Sequence, residues 1–332
     1  IQGKAIEEFE NNFAKFCGKK YCVTLNSGTD ALEFALRAYG IKDGEVITAP
    51  NSYFSSAMVI TKVGAKPVFV DVDEKSMNID INKIEKAVTK KTKAIIPVHL
   101  CGQPADLDPI YEIAEKHNLV VVEDACQAHL AEYKGKRIPV GETGAFSFYP
   151  GKNLGSFGDG GALVTDNEEV ADKVRVMRND GSRKKYYHEA IGFKSRLDTI
   201  QAVILNIKLK YLDEWNNLRR KHAELYNSLL KSVVETQEEM PYAKHVYHLY
   251  QIRRNKRDEL QKYLADQGIS TVIHYPIPIH LQEAYKNLGH KEGDFPVTER
   301  LAKRILSLPM FPELTEEEIR YVCDSVKSFL KD

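Results

Sequence analysis

The sequence predicts an α/β protein: a doubly wound, mostly parallel sheet with a smaller α+β domain behind it. Three observations carry this. Short β-branched runs alternate with helical patterns from residue 21 to residue 165. The run Leu119-Val120-Val121-Val122 is apolar without a break, as in a strand covered on both faces. At 332 residues the chain exceeds what one hydrophobic core usually organises, so two domains are expected, residues 1–205 large and 206–332 small.

The elements follow in order. Residues 5–9 already read as helix. Strands are expected at 21–25, 45–49, 67–72, 93–98, 119–123, 145–149 and 162–165, and helices at 31–39, 55–63, 81–88 and 109–116, with Gly40 closing the first of these. Such alternation implies right-handed crossovers, and ligands of such sheets sit beyond the carboxyl ends of the strands. After about residue 195 the pattern changes. Residues 197–230 form a long helical stretch with a charged face that includes Asp213, Glu214, Arg219, Arg220 and Lys221. Beyond it, 246–253 reads as a strand, 257–267 as a helix, 274–280 as a proline-punctuated extended segment and 315–330 as a final helix. The chain has no internal repeat and no low-complexity tract.

Composition removes several classes of function. Lys+Arg and Asp+Glu both number 47, so the formal charge is zero and there is no electrostatic footprint for nucleic acid or an anionic membrane. No apolar run approaches the roughly 18 residues of a membrane span, and a cytoplasmic protein is expected. The 5 cysteines are odd in number and far apart, which suits a reducing compartment rather than a disulfide framework. Cys126 and His129 are two candidate ligands and do not make a zinc site, so no metal is expected. The chain opens at Ile1 and runs at once into helix, so an N-terminal piece is expected ahead of it.

Four segments hold candidate chemistry. Asn26-Ser27-Gly28-Thr29-Asp30 opens the helix at 31–39, where free backbone N–H groups and the helix dipole favour a phosphate. Plain N-capping by Ser27 or Thr29 accounts for the same residues. Glu123-Asp124 ends the most apolar strand; Asp124 suits either a helix cap or a partner for a protonated ring nitrogen, with Gln127 three residues on. In Phe146-Ser147-Phe148-Tyr149-Pro150-Gly151-Lys152-Asn153-Leu154-Gly155 a strand ends at a Pro-Gly turn, and Lys152 leaves it among apolar neighbours. Desolvation there would lower its pKa, as a Schiff-base lysine requires. The glycine-rich stretch 155–161 matches neither the dinucleotide nor the nucleoside-triphosphate fingerprint. His274-Tyr275-Pro276-Ile277-Pro278-Ile279-His280 reads as an ordered inter-domain loop or as a wall of the active site.

Together these segments resemble the DegT/DnrJ/EryC1/StrS family of sugar aminotransferases, pyridoxal 5'-phosphate (PLP) enzymes of the aspartate-aminotransferase fold, fold type I. The matching stretches are 26–31, 64–71, 96–99 with 102–106, 123–129, 146–161, 195–198 and 245–250, and the resemblance runs from about Gly3 to Phe329. It implies a large domain with a mostly parallel seven-stranded sheet and a smaller C-terminal α+β domain. It also implies that Lys152 binds PLP and shuttles a proton, that Asp124 keeps the pyridine nitrogen protonated, and that Gln127 contacts the ring hydroxyl. Gly28, Thr29 and Ser147 would hold the phosphate, and Tyr53 would stack on the ring.

Many relatives carry Asn where this chain has Lys194, reaching the partner subunit's cofactor phosphate; an ammonium binds phosphate as a point charge. A homodimer with shared active sites is implied. So is transfer of an amino group from L-glutamate to a nucleotide-linked keto-sugar, with His274, Tyr275 and His280 at the sugar. The block from 274 to 296 looks most like members that aminate C3 of a dTDP-3-keto-6-deoxyhexose; C4-aminating and UDP-sugar relatives are the alternatives. A branch that dehydrates or deaminates sugars usually replaces the lysine by histidine, and Lys152 argues against it. A regulatory or binding protein on the same scaffold is the reading from another class.

Overall fold

The computed structural model of the chain describes residues 3–330. Seven strands form the central sheet: β1 (Tyr21–Leu25), β2 (Glu45–Thr48), β3 (Lys66–Phe69), β4 (Thr92–Ile96), β5 (Val120–Asp124), β6 (Thr143–Ser147) and β7 (Gly161–Thr165). Across the sheet they run β1-β7-β6-β5-β4-β2-β3. Only β7 opposes its neighbours β1 and β6; the other adjacent pairs are parallel. The seven expected strands are therefore present, with ends that differ by a few residues. The strand expected at 145–149 stops at Ser147, because Phe148 turns to donate its N–H to the Gly160 carbonyl.

Both faces of the sheet are covered, as the apolar β5 run requires. On one side α1 (Lys4–Phe16) and α7 (Thr199–Leu209) enclose Phe9, Phe13, Phe146, Phe148 and Leu205. On the other, α2 (Gly28–Ala38), α3 (Ser55–Lys62) and α6 (Glu168–Arg178) bury Val23, Leu32, Phe34, Val59 and Val174. Each fully buried Phe or Leu contributes about 1.5–3 kcal/mol relative to exposure. The remaining large-sheet helices are α4 (Ile81–Ala87) and α5 (Leu107–His117).

The helical stretch expected at 197–230 is two helices, broken at Lys210 and Tyr211 between α7 and α8 (Leu212–Leu230). Past α8, a three-stranded antiparallel sheet of β8 (Glu235–Thr236), β9 (Tyr250–Arg253) and β10 (Ile305–Leu308) packs with α8, α9 (Arg257–Asp266) and α11 (Glu316–Phe329) around Tyr226, Leu260, Leu306 and Val326. The strand expected at 246–253 is shorter, since 246–249 runs irregularly and gives the N–H groups of Val246 and Leu249 to the Gly102 and Cys101 carbonyls. Thr315 caps α11 through a reciprocal bond with Glu318, an arrangement that stabilises by about 1 kcal/mol.

Helix α6 was not read from the sequence, and nor was α10 (Pro296–Arg304). The cap of α10 comes from the far side of the chain. Asp71, just past β3, accepts the N–H groups of Val297 (3.0 Å) and Thr298 (2.9 Å) and the Thr298 hydroxyl (2.8 Å). Ile279 is fastened likewise, its N–H reaching the Pro50 carbonyl beyond β2 at 2.8 Å.

Candidate active site

Parallel pairing of β5 and β6 sets Asp124 opposite Ala145, so both strands end at the same edge of the sheet. The helix start of α2 presses against that edge. Ser27 caps α2 by accepting the Asp30 N–H at 3.1 Å, and Ala31 makes the first intrahelical bond, to the Ser27 carbonyl. The N–H groups of Gly28 and Thr29 lie ahead of it and are left for an anion. A Cβ built on Gly28 would stand 2.6 Å from Cys126 Sγ and 2.8 Å from Ser147 Cβ. Only glycine lets the helix start approach Ser147 this closely. Thr29 Oγ1 lies 2.8 Å from Ser55 Oγ.

Asp124 is buried, and both its oxygens are held. Ser56 Oγ donates to Oδ2 at 2.8 Å and the Cys126 N–H to Oδ1 at 3.2 Å. The strand end beneath it is pinned by Glu123, which accepts from Tyr111 OH (2.7 Å), the Gly141 N–H (2.6 Å) and His99 Nε2 (2.9 Å). Burial opposes charge on Glu123, but these donors prevail and hold its pKa below the usual carboxylate value.

Lys152 follows the turn after β6, and burial lowers its pKa. Cys126, Asp124 and Cys101 pull the other way. Both thiols are themselves pushed up by burial, Cys101 to about 12. Gln127 Oε1 accepts the Cys101 N–H at 2.7 Å, while its Nε2 donates to Tyr275 OH at 3.2 Å. Tyr275 in turn lies 5.8 Å from the exposed ring of Tyr53, centroid to centroid. His274 bonds Ser307 Oγ through Nδ1 at 2.9 Å, and burial with the nearby Lys152 lowers its pKa to about 4.

Gly28, Thr29, Ser147, Asp124, Gln127, Lys152, Tyr275, His274 and Tyr53 are thus gathered around one sheet edge. Two expected residues are not. His280 is buried, bonded to Glu299 at 3.0 Å and packed on Phe295, so its ring is engaged inside the protein. Lys194 stands exposed, bridged to Asn179. Sequence reasoning missed Ser56, whose partner is 68 positions away, together with Ser52, which lies 2.9 Å from Ser56. Among the described residues no cluster of His, Cys, Asp or Glu is placed to hold a metal ion, and no helix is long and apolar enough to cross a membrane.

PLP fits these residues. A phosphate suits the cradle that a Gly28 Cβ would fill, a pyridine nitrogen suits the buried Asp124 carboxylate, and Lys152 is desolvated beside both.

Comparison with known proteins agrees. A protein of Geobacillus stearothermophilus described as a pleiotropic regulatory protein is 48% identical over 100% of this chain and 91% of its own length. The dTDP-3-amino-3,4,6-trideoxy-alpha-D-glucose transaminase of Streptomyces venezuelae is 45% identical, over 99% of this chain and 88% of its own. The crystal structure of S. venezuelae DesV in complex with a ketimine intermediate superposes with a TM-score of 0.98 at 44% identity, covering 100% of this chain and 91% of that one. The profile of the DegT/DnrJ/EryC1/StrS aminotransferase family matches residues 1–327, and the chain belongs to that family of PLP-dependent enzymes.

Proposed function

We propose that this enzyme moves an amino group from L-glutamate to a nucleotide-linked keto-sugar, at C3 of a dTDP-3-keto-6-deoxyhexose. One observation carries the reading: a desolvated lysine, a doubly held carboxylate and the Gln127–Tyr275 pair converge beside a free helix start. The C3 assignment leans on similarity to the S. venezuelae transaminase.

PLP, when bound, supplies an electron sink for the carbanion formed at the donor's Cα. The chain's own residues do the rest. Gly28, Thr29 and Ser147 bind the phosphate, and Asp124 holds the proton of the ring nitrogen. Gln127 contacts the ring hydroxyl, and Tyr53 covers the ring. Lys152 would anchor the cofactor and take the proton from the donor carbon. His274 and Tyr275 face the sugar.

A homodimer completes the site in this reading. Ile200, Val203 and Ile207 form an exposed apolar row along α7, and Phe157, 73% exposed, lies beside it through the Phe157 N–H to Gln201 bond. A second copy covering this row would bring its Lys194 toward the phosphate. The division at 205/206 and a cytoplasmic location belong to the same reading.

The test is an absorbance spectrum before and after L-glutamate. The PLP band is expected to give way to that of pyridoxamine phosphate, and dTDP-3-keto sugar to restore it faster than 4-keto or UDP-linked sugars. A faster UDP-sugar would move the substrate assignment. No band after soaking with PLP would favour a regulatory protein, the description carried by the Geobacillus relative. Gly28→Ala is expected to weaken PLP binding at least tenfold, about 1.4 kcal/mol, because the methyl drives Cys126 and Ser147 away. Titration of the same band reads it, and unchanged affinity would count against the cradle.

A further inference from the structure

Helix α3 opens against the candidate site with two successive serines. Ser55 Oγ lies 2.8 Å from Thr29 Oγ1, on the phosphate side, and Ser56 Oγ lies 2.8 Å from Asp124 Oδ2. Ser52, in the segment ahead of α3, lies 2.9 Å from Ser56. Ser52, Ser56 and Asp124 are all buried, so these polar groups must satisfy one another.

The direction of the chain follows from which groups carry protons. An ionised carboxylate only accepts, so the Ser56 hydroxyl commits its single proton to Oδ2. The Ser52–Ser56 contact then has one solution, in which Ser52 donates and Ser56 accepts. A hydroxyl that accepts one hydrogen bond donates a stronger one, so Ser52 tightens the hold of Ser56 on the carboxylate. The segment that carries Ser52 is fixed in turn: Asn51 Nδ2 donates to the Met77 carbonyl at 2.7 Å, and the Pro50 carbonyl accepts the Ile279 N–H at 2.8 Å. The other carboxylate oxygen is held by the Cys126 N–H at the longer distance of 3.2 Å.

We infer that Ser56, oriented by Ser52, is a positioning residue for Asp124: it fixes the rotation of the carboxylate so that the charge stays aimed at the ring nitrogen of the cofactor. This rests on the reading of Asp124 as that nitrogen's partner. The terminal torsion of an aspartate is broad, so the side chain does not hold this angle by itself. Without Ser56 the carboxylate turns about the Cys126 N–H and meets the nitrogen less squarely.

The test compares PLP with its 1-deaza analogue, in which carbon replaces the ring nitrogen while phosphate, aldehyde and hydroxyl are kept. Dissociation constants come from spectral titration of the whole chain after its cofactor is removed, without turnover. Wild type is expected to prefer PLP. Ser56→Ala should cut that preference about tenfold, as for one hydrogen bond to a charged group, and Ser52→Ala about threefold. Ser56→Thr, which keeps the hydroxyl, should retain most of it, and Ser55→Ala, whose contact is with Thr29, should leave it unchanged. A general loosening of the pocket weakens both ligands alike and divides out of the ratio. An unmoved preference in folded Ser56→Ala, or in Ser52→Ala should the former not fold, overturns the inference while the aminotransferase reading stands. So does an equal loss in Ser55→Ala. No preference in wild type would overturn it together with the pairing of Asp124.

Discussion

Lys152→Ala is expected to abolish turnover, lowering the single-turnover rate with L-glutamate by about 10⁴-fold or more. In the proposed reading two contributions vanish together: the covalent anchor of the cofactor and the base that moves the Cα proton, the latter alone worth about 10²–10⁴. The fold should survive. The side chain is only partly exposed, but no hydrogen bond of the surrounding elements depends on it, and removing a desolvated amine relieves a cost rather than creating one. Circular dichroism and the melting temperature check the fold; stopped-flow absorbance checks the rate. A folded variant that still converts glutamate would remove Lys152 from the chemistry.

Asp124→Asn is the second large effect, an expected loss of about 10²–10³ in the glutamate half-reaction with the cofactor still bound. The substitution keeps the shape and removes the charge proposed to pair with the ring nitrogen. It also meets two neighbours that now donate into the site. Ser56 can turn to accept from the new amide, but the Cys126 N–H cannot, so the amide oxygen is drawn to the Cys126 side. That leaves an amide hydrogen aimed where the ring nitrogen's proton would lie. Rapid-mixing kinetics at saturating glutamate separate this from weak binding; a rate near wild type would contradict the pairing.

The sheet was legible because its signal is local: β-branched runs between amphipathic helices define strands whatever surrounds them. Its edges were less so. The β6 end is set by Phe148 bonding Gly160, twelve residues on, and the break between α7 and α8 has no glycine or proline to mark it. Helix α10 begins at a proline but takes its cap from Asp71, a partner no local pattern reveals. Within the site, Lys152, Asp124 and Gly28 stand at strand ends and a helix start, where topology predicts ligands. Ser56 and the Glu123 network depend on contacts distant in sequence and emerge only when the chain is folded. His280 misled because two histidines flank one proline-rich segment, yet only His274 stays near Lys152.

The two clips described above, Ile279 on Pro50 and the first turn of α10 on Asp71, bracket the stretch that follows Tyr275. Both use backbone N–H groups on the clipped side, joined at Thr298 by its hydroxyl, and between them Tyr285 and Phe295 pack on Ala57 and Phe69. The intervening 17 positions, 280–296, are therefore held at both ends and in the middle, so a change among their buried side chains reaches β3 directly.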